Sequence, residues 1–524
     1  MAGAQSGNMI RNALTMMVGT LASRVLGLLR EVITAACFGA GRSLDAFFAA
    51  YTIANLGRQL LAEGALSAAF VPVFSQVVER QGRENAELLA RQALSVILCA
   101  SAVAVGLGIL FSPQLISFIA PGFDSEKYEL TVVLTRQLFP FLTIISAAAL
   151  AMGVLNSMNC FFVPALAPAL SNVIYITITL LLASRLGVKS LVWAVLLGGA
   201  ANLLFQWSWA AADKKMVLIP SAPDLKNPEL RRMLTLFLPY AAGLSLNQLN
   251  PVLSRFFGSF LADGSISMLN YANRVVQLPL GLVVIAVSQA VLPELSRCIA
   301  RGGEGFSETL RDALRFSLFV IVPVTAGMMM MSSEIVHFLF FRAAFGEAAW
   351  RGTSTALFYS SLALPGMACS TVVMRALFAR SLSRQAVMTT VSNVTSLLLF
   401  SAVLISPLQL GGVALAGSLA FTVSSCVGIR LLERASSSSC ALFQAAWCAK
   451  IFFGTAAMAA VGCAFRAFFP YPSEAGIALR ALWLMLVGGV CMAVYAAATL
   501  RLRCEEWNLI FQSLRKRRRL RGEP

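Results

Sequence analysis

Apolar residues run through this chain in blocks of about 20, separated by short polar segments, and a block of that length crosses the hydrocarbon of a bilayer as a helix. Fourteen blocks are read: 13–38, 44–75, 91–120, 131–157, 161–184, 189–211, 233–260, 265–296, 311–340, 353–379, 385–405, 410–432, 444–468 and 477–500. Prolines 113, 140, 164, 168, 239, 279, 293, 323 and 365 fall inside or beside these blocks. A bundle tolerates such breaks where neighbours or water satisfy the freed backbone groups. Alternating apolar and polar strands of the barrel type are absent.

The blocks recur. Ser67-Ala-Ala-Phe-Val-Pro72 matches Ser288-Gln-Ala-Val-Leu-Pro293, Arg80-Gln-Gly82 matches Arg301-Gly-Gly303, and Ser171-Asn-Val173 matches Ser392-Asn-Val394. All three pairs share an offset of 221 residues. Copies in the same orientation need an even number of spans between them, and six fit. The predicted fold is an all-α polytopic membrane protein with 14 transmembrane helices. Two six-helix lobes form a parallel pseudo-two-fold repeat, the plan of a transporter whose site lies between the lobes, followed by two extra C-terminal helices. The expected organisation is an N-lobe over 1–211, an inter-lobe linker over 212–232, a C-lobe over 233–435, spans thirteen and fourteen within 436–503, and a polybasic tail over 504–524.

Composition agrees with a membrane location: 58% of the 524 residues are hydrophobic and 12% charged, with a mean hydropathy of +0.77. The net charge of +17 raises nucleic acid as a partner, but the cations lie in loops and in the tail, as the positive-inside rule describes. With the N-terminus inside, cytoplasmic segments hold roughly 25 Lys and Arg against about 8 outside. The 121–130 loop, with Asp124, Glu126 and Glu129 against Lys127 alone, faces out. Both termini are then cytoplasmic. Eleven cysteines without a CxxC pair read as small core residues, and the single histidine, His337, leaves no histidine-based metal or triad site. No metal, cofactor or nucleotide-binding loop is expected. The basic run from Arg515 to Arg521 is either a topology anchor or a binder of anionic headgroups.

The informative residues are charges within the blocks. Arg24, Arg30 and Arg58 sit in the first two spans, with Ser23 beside Arg24, Asp45 near the glycine turn, and Asn55 and Glu63 along the second span. In the second lobe Asn270 and Arg274 share a helix face, Ser267 lies one turn earlier, and Arg255 stands in the preceding span. A charge at membrane depth costs several kcal/mol unless it faces a cavity or a partner. Arginines in excess of acids point to an anionic ligand, and the planar guanidinium suits a diphosphate or carboxylate. Arg24, Arg58 and Arg274 are the leading ligand contacts. Arg30 and Arg255 either join them, snorkel, or form an interlobe ion pair with Asp45 or Glu63, which are expected as gate or packing partners of the arginines.

These residues carry a resemblance. The segments SRVLGLLRE, FGAG followed by DAF, the stretch from Asn55 to Pro72, APGF at 120–123 and YANR at 271–274 closely resemble the MurJ/MviN lipid II flippases of the multidrug/oligosaccharidyl-lipid/polysaccharide exporter superfamily. The resemblance implies transport, not enzymatic turnover, of an undecaprenyl-diphosphate-linked peptidoglycan precursor from the inner to the outer leaflet of the bacterial cytoplasmic membrane. Alternating access and a groove for the polyprenyl tail on spans thirteen and fourteen come with it. By motif position, Arg24, Arg58 and Arg274 match essential cavity arginines, Arg30 and Asp45 further important charges, and Ser23, Asn55, Glu63 and Ser267 cavity or gate positions. Implied partners are lipid II, the bilayer, and proteins of cell-wall synthesis or division.

The sequence departs from the family pattern at Asn273 and Gln277, where acids are common, and at Ala54, where proline is. No Asp or Glu occurs in 233–260 or 385–405, so sodium coupling is not expected. The alternatives are a flippase for another polyprenyl-linked glycan or a drug exporter of the same superfamily. A drug exporter would need acids for cationic drugs. A membrane-bound glycan polymerase would need catalytic acids or bases in an outside loop, and the outside loops are short, with no carboxylate pair placed for such work.

Overall fold

The structure, a computed structural model, describes residues 19, 22–59, 66–213, 216–224, 226–245, 248–436 and 444–508. Every regular element among them is a helix. A helix over 22–38 (α1) is followed by Arg42–Arg58 (α2), Leu66–Gln81 (α3), Arg83–Leu110 (α4), Ser112–Ile119 (α5), Ser125–Leu138 (α6), Phe141–Ser157 (α7), Phe162–Leu186 (α8) and Lys189–Ala212 (α9). Then come Pro228–Ser245 (α10), Leu249–Ser259 (α11), Ser265–Pro279 (α12), a wide π-helical turn at Leu280–Val284, and Ile285–Ala300 (α13). Phe306–Met330 (α14), Ser332–Phe340 (α15), Glu347–Ser361 (α16), Ala363–Ala379 (α17), Ser383–Ser436 (α18), Ala445–Phe468 (α19) and Ile477–Arg501 (α20) complete the chain.

The 221-residue offset extends to the helix boundaries. Shifted by 221, α5 predicts 333–340 against the observed Ser332–Phe340, and α7 predicts 362–378 against Ala363–Ala379. The shifted α2 predicts 263–279 against Ser265–Pro279. Pro72 and Pro293 both lie inside helices, at the same place in α3 and α13. The counterpart of the α8–α9 hairpin is α18. Its two halves reverse at Gln409, where φ is +47°. They then run back along each other, so that Asn393 bonds Ser424 at 3.3 Å. A Cβ on Gly428 would stand 3.1 Å from Thr389.

Several expected spans are broken. The 91–120 span divides at Phe111, where Pro113 opens α5 at a position whose missing N–H costs nothing. The 311–340 span divides at Met331, the 131–157 span beside Pro140, and the 353–379 span at Leu362. The breaks fall at equivalent places in the two copies, so they are part of the repeated unit.

Among the described residues eight helical stretches are long and apolar enough to cross a membrane, and the pair α16–α17, bent by 42°, makes a ninth. With α18 counted as two, these correspond to ten of the fourteen blocks. The other four are the first two spans of each copy, which carry the arginines and the inner prolines.

Two compact units result, Met1–Ser267 with Arg342–Gly346, and Met268–Phe341 with Glu347–Pro524. The first has a core of Phe70, Phe74, Leu89, Leu94, Leu150 and Val154, all nearly solvent-free. Gly153 makes room for it, since a Cβ there would lie 2.8 Å from the Phe70 ring. The second unit has one core around Leu314, Val372 and Leu377 and another around Phe319, Trp447, Val487 and Tyr495. Large apolar side chains also point outward in number, among them Val103, Leu110, Leu181, Leu204, Val403 and Met492. On a protein in water such a surface would be an aggregation liability; against acyl chains it is the solvated face.

Candidate functional site

Within the first unit, α1 and α8 hold one polar cluster. Arg30 donates through Nη2 to Glu31 at 2.7 Å and through Nη1 to the Asn172 Oδ1 at 3.4 Å. Its guanidinium lies 5.0 Å from the centre of the Tyr175 ring, a cation–π contact that gains strength where water is scarce. The Asn172 Nδ2 donates in turn to the Ser23 carbonyl at 3.2 Å. Arg24, next along the chain, is half-buried and has no ion pair or hydrogen bond among the described residues. Arg30 was expected either to meet the ligand or to pair with Asp45 or Glu63; its carboxylate partner is the adjacent Glu31. On α2, Asn55 accepts from the Arg58 Nε at 2.9 Å, as their i,i+3 spacing predicts.

Arg255 on α11 donates to the Thr52 hydroxyl at 3.2 Å and the Ile266 carbonyl at 3.3 Å, so it too is held by groups of the first unit.

Asp45 differs most from its expected role. It is 1% exposed and its ion-pair partner is a lysine: Lys127 Nζ lies 3.1 Å from its Oδ2, and Lys127 itself is 4% exposed. Lys127 also reaches Asp263 at 2.8 Å and lies 4.3 Å from the Phe123 ring centre. The remaining lone pairs of Asp45 accept from the Gly264 N–H at 2.8 Å, the Ser267 N–H at 2.8 Å and the Ser267 hydroxyl at 2.6 Å. The carboxylate thus caps the first turn of α12, as an N-terminal acid does, but from another helix. Ser267, expected at the ligand, is fully buried and spends both donors on Asp45. An outer layer joins Arg42 to Asp124, Glu126 and Asp263. Asp124 caps α6 through the Lys127 N–H at 3.0 Å. That bond, with Arg42 beside it, holds the Asp124 carboxyl below the usual carboxylate range.

Two further contacts donated by backbone N–H groups lie in the same unit. The Gly122 N–H donates to the Ser259 Oγ at 3.0 Å at the end of α11, and the Ala344 N–H donates to the Ala36 carbonyl at 3.1 Å at the end of α1. They are near-equivalents under the 221-residue offset. Both approaches need glycine. A Cβ on Gly122 would stand 2.6 Å from the Ser259 carbonyl oxygen, and one on Gly39, where φ is +66°, 2.4 Å from that of Ala344.

In the second unit, Asn270 and Arg274 share one face of α12; Arg274 is half-buried and Asn273 exposed. Tyr271 between them is fully buried against Phe340, ring centres 5.0 Å apart. The same unit anchors α19: Arg466 bonds the Met330 carbonyl and pairs with the buried Glu334. The Tyr471 hydroxyl lies 3.3 Å from the His337 Nδ1. Glu63 and the basic run Arg515–Arg521 lie outside the described residues. Among the described residues no group of three His, Cys, Asp or Glu is placed to hold a metal.

Sequence reasoning missed Glu31, Asn172, Tyr175 and Lys127. Asn172 did carry a signal, since it lies in one of the three segments that recur at the common offset.

A duplicated helical membrane protein with arginines in the least apolar spans of each copy is a transporter of the exporter type. Residues 34–481 match the family model for the lipid II flippase MurJ, and the chain belongs to that family. It is 34% identical over 373 residues to a probable lipid II flippase MurJ of Bdellovibrio bacteriovorus, covering 70% of this chain and 71% of that one. It is 34% identical over 340 residues to the lipid II flippase MurJ of Burkholderia cenocepacia, covering 64% and 66%. A solved lipid II flippase MurJ in an inward closed conformation superposes with a TM-score of 0.79 at 26% identity, covering 93% of this chain and 98% of that one. An inward-facing multidrug transporter of the MATE family shares the fold, with a TM-score of 0.65 at 17% identity.

Proposed function

We propose that this protein carries lipid II, an undecaprenyl diphosphate bearing a disaccharide–pentapeptide, from the inner to the outer leaflet of the bacterial inner membrane by alternating access. Both termini are cytoplasmic in this reading, and no bound cofactor or sodium ion takes part. Arg24, Arg58 and Arg274 hold the diphosphate, with Asn55 and Asn270 beside them, while the polyprenyl tail stays in lipid or against α19 and α20. The observation that carries the reading is Arg24. It is a half-buried guanidinium on an intramembrane helix with no counter-charge among the described residues, in a chain whose family transports a lipid diphosphate. Such a group is costly unless an anion visits it. A drug exporter taking cations is disfavoured by the same inventory.

The test is complementation of a flippase-depleted strain. The wild-type chain should restore growth, and neutralising Arg24, Arg58 and Arg274 together should abolish rescue at wild-type protein levels. Full rescue by the triple variant would reject the assignment.

A further inference from the structure

We propose that Asn172 is a positioning residue for Arg24: its amide, held by Arg30, fixes the turn of α1 that presents the guanidinium to the diphosphate. The inference rests on the reading of Arg24 as a headgroup ligand and deepens it.

A guanidinium offers only donors, and a main-chain carbonyl only accepts. A single side chain that bridges them must end in one acceptor and one donor, which only an amide does at this length. The chemistry also settles which way the amide points. Oδ1 faces the Arg30 Nη1 at 3.4 Å and Nδ2 faces the Ser23 carbonyl at 3.2 Å. Arg30 is itself fixed on its other arm by Glu31 at 2.7 Å and on its face by Tyr175, one turn further along α8 from Asn172. The bracket therefore runs from a tethered cation through one amide to the carbonyl next to Arg24. Gly27 lies across from it, with the site of its missing Cβ 3.7 Å from the same Nδ2, so the bare face of α1 lies against α8.

The second copy keeps the amide in a different setting. Asn393 occupies the equivalent position and is also buried, but its Nδ2 donates to the Ser424 hydroxyl within α18. Pro251 stands where Arg30 stands in the first copy. The amide belongs to the duplicated scaffold, whereas an arginine at the Arg30 position belongs to the first copy.

The experiment uses the full chain in nanodiscs with undecaprenyl diphosphate as probe, comparing wild type, Arg24→Ala, Asn172→Ala and the double variant. Interhelical polar contacts in membranes are modest, so Asn172→Ala should weaken affinity by about 3- to 20-fold. The double variant should bind no more weakly than Arg24→Ala alone. Asn172→Asp keeps an acceptor for Arg30 but removes the N–H, and should bind as weakly as Asn172→Ala. Undecaprenol, which lacks phosphate, should bind all variants equally, an outcome that a general loss of structure would not give. Asn393→Ala should leave both affinities unchanged. Wild-type affinity in Asn172→Ala beside a weakened Arg24→Ala would overturn the positioning role, as would losses that multiply in the double variant. Wild-type affinity in Arg24→Ala would overturn the headgroup reading, and the proposal with it.

Discussion

The two copies of the repeat use their buried charges differently. In the first, buried and half-buried charges gather on α1, α2 and the start of α12: Arg30 with Glu31, Asp45 with Lys127, and Arg24 with no ion pair among the described residues. In the second, a part-buried ion pair serves attachment, with Arg466 pinning α19 to Glu334 at the junction of α14 and α15. Positions equivalent to Arg24, Arg30 and Arg58 are Ser245, Pro251 and Pro279. Helix boundaries, breaks and the proline pair Pro72 and Pro293 have been kept between the copies, while the cations at the Arg24, Arg30 and Arg58 positions have not. Duplication supplies a scaffold, and the chemistry was added to it unevenly.

The sharpest way to break that comparison is Lys127→Ala. It leaves Asp45 and Asp263 without their ammonium, and breaking a buried pair costs about 3–5 kcal/mol. The thermal unfolding midpoint should fall strongly, and Asp45→Asn added to Lys127→Ala should recover part of the loss by removing the stranded charge. If Lys127→Ala unfolds like wild type, the pair is not what holds α6 against α12.

Arg466→Ala should be next. It strands Glu334, but Arg466 is a third exposed, so water screens part of the deficit and the expected cost is about 2 kcal/mol. The comparison predicts that this variant loses stability while its affinity for undecaprenyl diphosphate is retained. An affinity loss equal to that of Arg24→Ala would erase the distinction between the copies.

Much of this architecture was legible before any coordinates. Apolar length and the 221-residue offset are one-dimensional signals, and they carried the helices, the duplication and the pairing of Asn55 with Arg58. The breaks at Phe111 and Pro140 were half legible, because proline marks where a helix can stop without saying whether it does. The partners of the charges were not legible. Lys127 reads as the lone cation of an acidic outside loop, and only the fold brings its Nζ between Asp45 and Asp263. Glu31 was overlooked because adjacent residues diverge by about 100° on a helix, yet a long arginine side chain can still reach its neighbour. Ser267 was placed with Asn270 by spacing, whereas the capping demand of α12 turned it to Asp45.

Two smaller effects sharpen the picture at the clasp. Gly122→Ala drives a methyl to within 2.6 Å of the Ser259 carbonyl oxygen, against nothing within 4 Å for Gly41→Ala. Overpacking of this kind costs about 1–3 kcal/mol, so the first variant should melt earlier and the second should not. The smallest effect concerns acid. The Asp124 carboxyl titrates below its ordinary value, held there first by the Lys127 N–H and then by Arg42. Its contribution is therefore present above the ordinary carboxylate range and is lost as pH falls through the lowered folded value. Asp124→Asn should be slightly less stable than wild type at neutral pH, and the two should converge under strong acid.

The central claim is that arginines set into the least apolar spans of a duplicated helical scaffold hold a lipid diphosphate during its passage between leaflets. It is tested most directly by a leaflet-resolved assay of labelled lipid II in cells depleted of their own flippase and supplied with this chain. The account predicts that the wild-type protein restores lipid II to the outer leaflet, that Arg24→Ala leaves it inside, and that Arg466→Ala at equal protein levels still delivers it. Outer-leaflet lipid II at wild-type levels with Arg24→Ala would contradict it.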